Sequence, residues 1–195
     1  MTTYELDISV SRTSVPVDVR QLQQDLERAL HQEQVARAVL SVSIVDNAAI
    51  HELNRRHLQH DFPTDVISFA LDWSADDRDS PGNGPAERSA GASIEGEIVV
   101  SAEFAAESAE RCGWSVQNEL TLYVVHGMLH LCGYDDLSGS EKSVMRAREI
   151  SILTALGLEP RYPDDPRLAI PGDDDEPPGP APDSASRQAA PEVRL

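Results

Sequence analysis

The chain has 195 residues, enough for one domain with a substantial core and too few for two ordinary ones. Two cysteines and no apolar run near the ~20 residues of a membrane span exclude a disulfide scaffold and a transmembrane helix, and with no signal peptide at the start a cytoplasmic protein is expected. The formal net charge of −18 argues against phosphate binding unless cations gather locally; residues 161–195 hold eight Asp or Glu against four Arg, which leaves −14 for the rest.

Tyr4 to Val10 alternates apolar and polar, which predicts a strand with one buried face. Pro16 then opens a predicted helix to about His31, with Leu22, Leu26, Ala29 and Leu30 on one stripe. Val39 to Val45 is β-branched and alternating, a second strand. Asp46 caps a helix through Ile50 and Leu53 to about Leu58. The end of that helix, Asn54 to His60, is the one dense basic cluster of the domain, and by itself it reads as a solvated terminus whose cations complement the dipole.

Val66 to Ala70 predicts a short third strand after the Pro63 turn. Leu71 to Ser93 is polar, Gly- and Pro-containing and without period, so a long loop is expected, treated as an insertion at about 72–93. Ile94 to Val100 returns to sheet, Ser101 caps a helix to about Arg111, and Gly113 ends it. Ser115 caps an apolar, hence buried, helix from about Val116 to Leu131. Ser138 to Glu141 is a capping box for a last helix ending at Leu156 before Gly157. Beyond Pro160 the chain is Pro- and Asp-rich, so the expected organisation is a domain of residues 1–160 and a disordered tail, 161–195.

Within the apolar helix stand His126 and His130. Residues four apart lie one turn above each other, about 40° apart around the axis, so both imidazoles can reach one ion. Gly133 ends the helix, and the chain can double back to bring Asp135 or Asp136 to the same point. Three such ligands with an open position for water make a catalytic site of the zinc type. Two core histidines on a buried helix satisfy the same spacing, so the residues alone leave both readings open. Cys132, six residues after His126, is rotated about 240° away on an ideal helix and is rejected as a ligand unless the helix ends before it.

The stretch His126-Gly127-Met128-Leu129-His130-Leu131-Cys132-Gly133-Tyr134-Asp135-Asp136 resembles the YbeY family signature H-G-x-L-H-L-x-G-Y-D-H. Ten of its eleven positions fit, and Asp136 stands where the family has its third histidine. Asp61-x-Pro63-Thr64-Asp65-Val66-Ile67-Ser68-Phe69 is similar to the family's D-x-P-T-D-V-L-S-F, and Gly96 to Val100 and Glu149 to Gly157 resemble its later strand and closing helix.

The resemblance implies an α+β fold, a small mixed sheet packed with helices. It implies a metal-dependent, single-strand-specific endoribonuclease in the maturation of small-subunit ribosomal RNA and in ribosome quality control. Ribosomal RNA and ribosomal proteins of the small subunit are the implied partners, with no nucleotide cofactor. The metal ligands carried over are His126, His130 and Asp136, with zinc as the ion. The family also places an arginine at the position of Leu58, where the match fails, and Arg55 or Arg56 is the substitute expected beside the catalytic His126 and His130.

Two departures shape the expected chemistry. Zinc proteases with a two-histidine helix carry their glutamate base directly after the first histidine, where this chain has Gly127, so proteolysis of that kind lacks its base. What remains is a divalent ion that lowers a water's pKa toward ~7 and polarises a phosphoryl oxygen. Asp in place of imidazole lowers the formal charge of the site, which predicts weaker acidification and a shift toward manganese. Asp135 is expected in support rather than as a ligand. The alternative function is a catalytically weakened relative that acts as an RNA- or ribosomal-protein-binding assembly factor. An iron oxygenase would carry its ligands on barrel strands, and these stand on a helix.

Overall fold

The computed structural model describes residues 2–75, 88–162 and 193–194. Four strands, β1 (Thr3–Val10), β2 (Arg37–Val45), β3 (Val66–Ala75) and β4 (Ala92–Ser101), form a mixed sheet in the order β1-β2-β4-β3. β1, β2 and β4 run parallel and β3 is antiparallel to β4. The helices are α1 (Val19–Gln32), α2 (Asn47–Leu58), α3 (Ala102–Cys112), α4 (Val116–Leu131) and α5 (Gly139–Ala155), and the fold is α+β as expected. Parallel neighbours need a long crossover: α1 makes the one from β1 to β2, while α2 and β3 lie between β2 and β4.

One face of the sheet carries the main core. Leu22, Leu26 and Leu30 of α1 pack with Leu40, Val42 and Ile98 of the strands and with Leu120, Val124 and Met128 of α4. α4 sits in the middle of that layer, touching α1, α3, α5, β3 and β4. Twelve of its sixteen residues are buried, as its apolar composition requires. α2 covers part of the opposite face, with Ile50 packed with Val45, Ile67 and Val99.

Four helix starts fall where the sequence places them. Asp46, Ser101, Ser115 and Ser138 each accept a hydrogen bond from the backbone N–H three residues on. α1 is a correction. It starts at Val19, because the Asp18 carboxylate accepts from the Gln21 N–H at 2.9 Å, and Pro16 lies outside it.

The loop expected from Leu71 to Ser93 is a second correction. β3 continues to Ala75 and β4 starts at Ala92, with Asp72, Trp73, Ser74 and Ala75 paired to Glu95, Ile94, Ser93 and Ala92. A bulge between Ala70 and Asp72 interrupts the alternation that would have marked the strand. The remainder of the expected insertion, 76–87, lies outside the described residues. Of the expected disordered tail, Arg161 and Tyr162 pack on the domain, and the backbone of β5 (Val193–Arg194) pairs with Phe69 and Ser68 of β3. The other residues of that tail lie outside the described set.

Candidate metal centre

α4 can hold its histidines still because it lies hard against the sheet. A side chain at Gly127 would put its Cβ 2.8 Å from the Ser68 Oγ and 2.9 Å from a methyl of Ile98, and the Ser68 hydroxyl donates to the Gly127 carbonyl at 3.2 Å. No glutamate fits there, so the missing protease base has a structural cause. Gly133 ends the helix at φ +88°, a conformation that costs other residues, and turns the chain back towards the histidines.

The turned loop is shaped by Asp135. One of its carboxylate oxygens accepts from the Asp136 N–H at 2.7 Å and the Leu137 N–H at 3.1 Å, which leaves Asp136 as the residue that faces the imidazoles. Asp136 Oδ2 lies 4.0 Å from His126 Nε2. The ligand atoms of His126, His130 and Asp136 all fall within 4.8 Å of one another. The structure therefore brings together the three residues read as ligands.

Hydrogen bonding fixes which ring nitrogens face that point. His126 Nδ1 is 2.7 Å from Glu149 Oε1, and His130 Nδ1 is 3.1 Å from the Tyr134 carbonyl. Carboxylate and carbonyl oxygens only accept, so in the neutral rings each Nδ1 carries the hydrogen and each Nε2 keeps its lone pair. The two Nε2 atoms are 3.1 Å apart. Two lone pairs at that distance repel unless a cation or a proton stands between them. Two imidazole nitrogens and a carboxylate oxygen are the donors a divalent ion of the zinc or manganese kind takes, so the residues fit the metal.

The same surroundings split the two imidazoles electrostatically. Burial pushes His126 down, but the hydrogen bond and charge of Glu149, with Asp65 and Asp136 behind them, raise its pKa above the ordinary histidine value. Burial and the neighbouring His126 push His130 down to about 4.

Beside this group opens a cleft of about 410 Å³, lined among others by Asp65, Glu119, Tyr123, His126, Asp136 and Glu149. Glu119, Tyr123, His126 and His130 follow one another at helical spacing, so a single stripe of α4 runs from the cleft wall to the metal point. Burial raises the Glu119 carboxyl above its usual range, and the Trp114 indole N–H donates to it.

The cations of this cleft are Arg111, Lys142, Arg146 and Arg161. Among the described residues, Arg111, Lys142 and Arg161 have no carboxylate partner within ion-pair distance, and Lys142 is the sole lysine of the sequence. Arg55 and Arg56 do not line it. Both are exposed and paired with Glu52, one turn back on α2. α4 ends at Leu131, just before Cys132, yet Cys132 is not part of the ligand group: it is buried near Ser89, Glu33 and Arg148, its thiol pushed up to about 12 mainly by that burial.

Sequence reading missed the cleft cations because they come from α3, α5 and the segment after it, with no local cluster to mark them. It also missed Glu149, for which a signal existed. On α5, Met145, Glu149, Ile152 and Leu153 form one buried stripe, and a carboxylate in such a stripe needs a partner.

Comparison with known proteins finds one family. A family profile described as endoribonuclease YbeY matches residues 7–157. A relative named endoribonuclease YbeY from Carboxydothermus hydrogenoformans is 43% identical over 121 residues, 62% of this chain and 74% of its own. One of the same name from Desulfitobacterium hafniense is 36% identical over 159 residues, 78% of this chain and 98% of its own. A solved structure from Thermotoga maritima covers 83% of this chain and 97% of that one at 22% identity and a TM-score of 0.48. With the matched region running from β1 to the end of α5 and the metal group inside it, the chain belongs to the YbeY endoribonuclease family.

Proposed function

We propose that this protein is a metal-dependent endoribonuclease that cuts single-stranded RNA, with small-subunit ribosomal RNA as its substrate in the cytoplasm and zinc or manganese as its ion. The observation that carries the reading is the two Nε2 atoms 3.1 Å apart beside Asp136, at the edge of a cleft whose walls include Arg111, Lys142 and Arg161.

When bound, a divalent ion supplies an acidified water and polarises a phosphoryl oxygen. The chain's own residues do the rest. His126 and His130 present Nε2, and Asp136 adds one negative charge that balances part of the ion's. Arg111, Lys142 and Arg161 attract the phosphates on either side of the one to be cut. Contacts of that kind position RNA without reading sequence. In a chain of net charge −18 these cations, set among Asp65, Glu119, Asp136 and Glu149 on the same walls, are the groups the cleft offers to an RNA backbone.

The test is cleavage of one RNA sequence, offered single-stranded and as a duplex, by the full chain with added zinc or manganese. The reading expects cutting of the single strand, stopped by chelator and by His130→Ala. RNA binding without cleavage under every metal condition would transfer the protein to the assembly-factor class, in which ribosomal proteins are the expected partners.

A further inference from the structure

We infer that Glu149 and Tyr162 are a positioning pair that fixes the ring of His126, so that the segment after α5 is a working part of the metal site. The inference rests on the metal reading above. On α5, Glu149 is 2% exposed within a stripe of Met145, Ile152 and Leu153. A buried carboxylate is costly unless its oxygens are engaged. Both are. Oε1 accepts from His126 Nδ1 at 2.7 Å, and Oε2 accepts from the Tyr162 hydroxyl at 2.9 Å.

The chain after α5 is fastened so that Tyr162 can do this. Gly157 turns the backbone at φ +87°, and the Leu158 N–H donates to the Leu153 carbonyl. The Arg161 guanidinium then donates to the carbonyls of Cys112 and Gly113, at the end of α3. The Arg146 guanidinium lies 3.5 Å from the centroid of the Tyr162 ring. The ring is thus held from one side and the hydroxyl directed at the carboxylate from the other. A tyrosine that only filled space would not need that hydroxyl.

The consequence for His126 is geometric. A carboxylate accepting from Nδ1 fixes both the tautomer and the rotation of the imidazole, and so the direction of Nε2. Tyr162 in turn fixes the carboxylate. Residues 158–162 therefore contribute to metal holding, although none of them touches the metal point.

The experiment uses the full chain, in wild type, Glu149→Gln, Tyr162→Phe and, as a control for lost packing in α5, Ile152→Val. Zinc affinity is read by competition with a coloured chelator, and the protonation of the His126 ring nitrogens is read by nitrogen NMR on the metal-free proteins. Glu149→Gln is expected to weaken zinc binding about 10- to 100-fold. Tyr162→Phe keeps the ring under Arg146 and is expected to weaken it several-fold, with a fall in the Nδ1-protonated share of His126, while Ile152→Val changes neither. Unchanged zinc affinity and ring signals in Tyr162→Phe overturn the inference, as does an equal loss in the control. Should Glu149→Gln not fold, Tyr162→Phe decides alone. Should the wild type bind neither zinc nor manganese, the metal reading fails, and the ring signals then judge the pair separately: unaltered His126 signals in the variants overturn it.

Discussion

His126 and His130 sit one turn apart on one helix, yet they are held by different kinds of partner. His126 leans on a side chain, the Glu149 carboxylate, and its proton affinity is raised; His130 leans on a backbone carbonyl, that of Tyr134, and its proton affinity falls to about 4. A charged acceptor stabilises the imidazolium, whereas a carbonyl offers only a dipole against the cost of burial. The side-chain support can be removed by one substitution. The backbone support can be disturbed only by moving the loop that carries it.

That loop is braced from behind, and breaking the brace should have the largest effect. The Tyr134 hydroxyl donates to Glu33, which is fully buried and paired with Arg148, while Ser89 donates to the same carboxylate. Arg148→Ala leaves a buried carboxylate without its cation, so a stability loss of about 3–5 kcal/mol is expected in chemical denaturation. Glu149→Gln should act on metal affinity far more than on the fold, which is the contrast the two supports predict.

Gly127→Ala comes next and disturbs both histidines together. The added Cβ meets Ser68 and Ile98 at distances that force a shift, which costs about 1–3 kcal/mol, partly offset by the better helix propensity of alanine. Denaturation midpoints measure it.

A pH titration of the metal-free protein separates the histidines more gently. The folded pKa of His126 is raised, so its contribution to stability is complete below the unfolded value of about 6.5 and disappears as pH rises through the folded value. His130 has the opposite sign. With a folded value of about 4, it removes stability as pH falls from about 6.5 towards 4, because only the unfolded chain takes up the proton there. Proton NMR of the two rings should show one titrating above 6.5 and one near 4; a common midpoint near 6.5 would remove the distinction.

The smallest expected effect belongs to the third ligand. Asp136→His exchanges a carboxylate for an imidazole and makes the site more positive, so zinc occupancy should rise and the alkaline limb of nuclease activity should move down by a fraction of a pH unit. Restored zinc without RNA cleavage would instead mark a retired active site.

How much of this was legible follows from how local each feature is. The caps at Asp46, Ser101, Ser115 and Ser138 depend on residues three apart, and the His126–His130 pair on residues four apart, so both can be read directly from the chain. The extension of β3 was hidden by its bulge. The cleft cations come from positions 111, 142, 146 and 161, and only the packing of α3, α5 and the following segment brings them together. Arg55 and Arg56 were conspicuous because they are adjacent; in the structure they pair with Glu52, three and four residues before them, and do not line the cleft.

The central claim is that His126, His130 and Asp136 hold one divalent cation, and metal content tests it most directly. Elemental analysis of the purified full chain, loaded with zinc and then desalted, should give close to one ion per chain for wild type and almost none for His130→Ala. Equal metal in the two proteins would contradict the account.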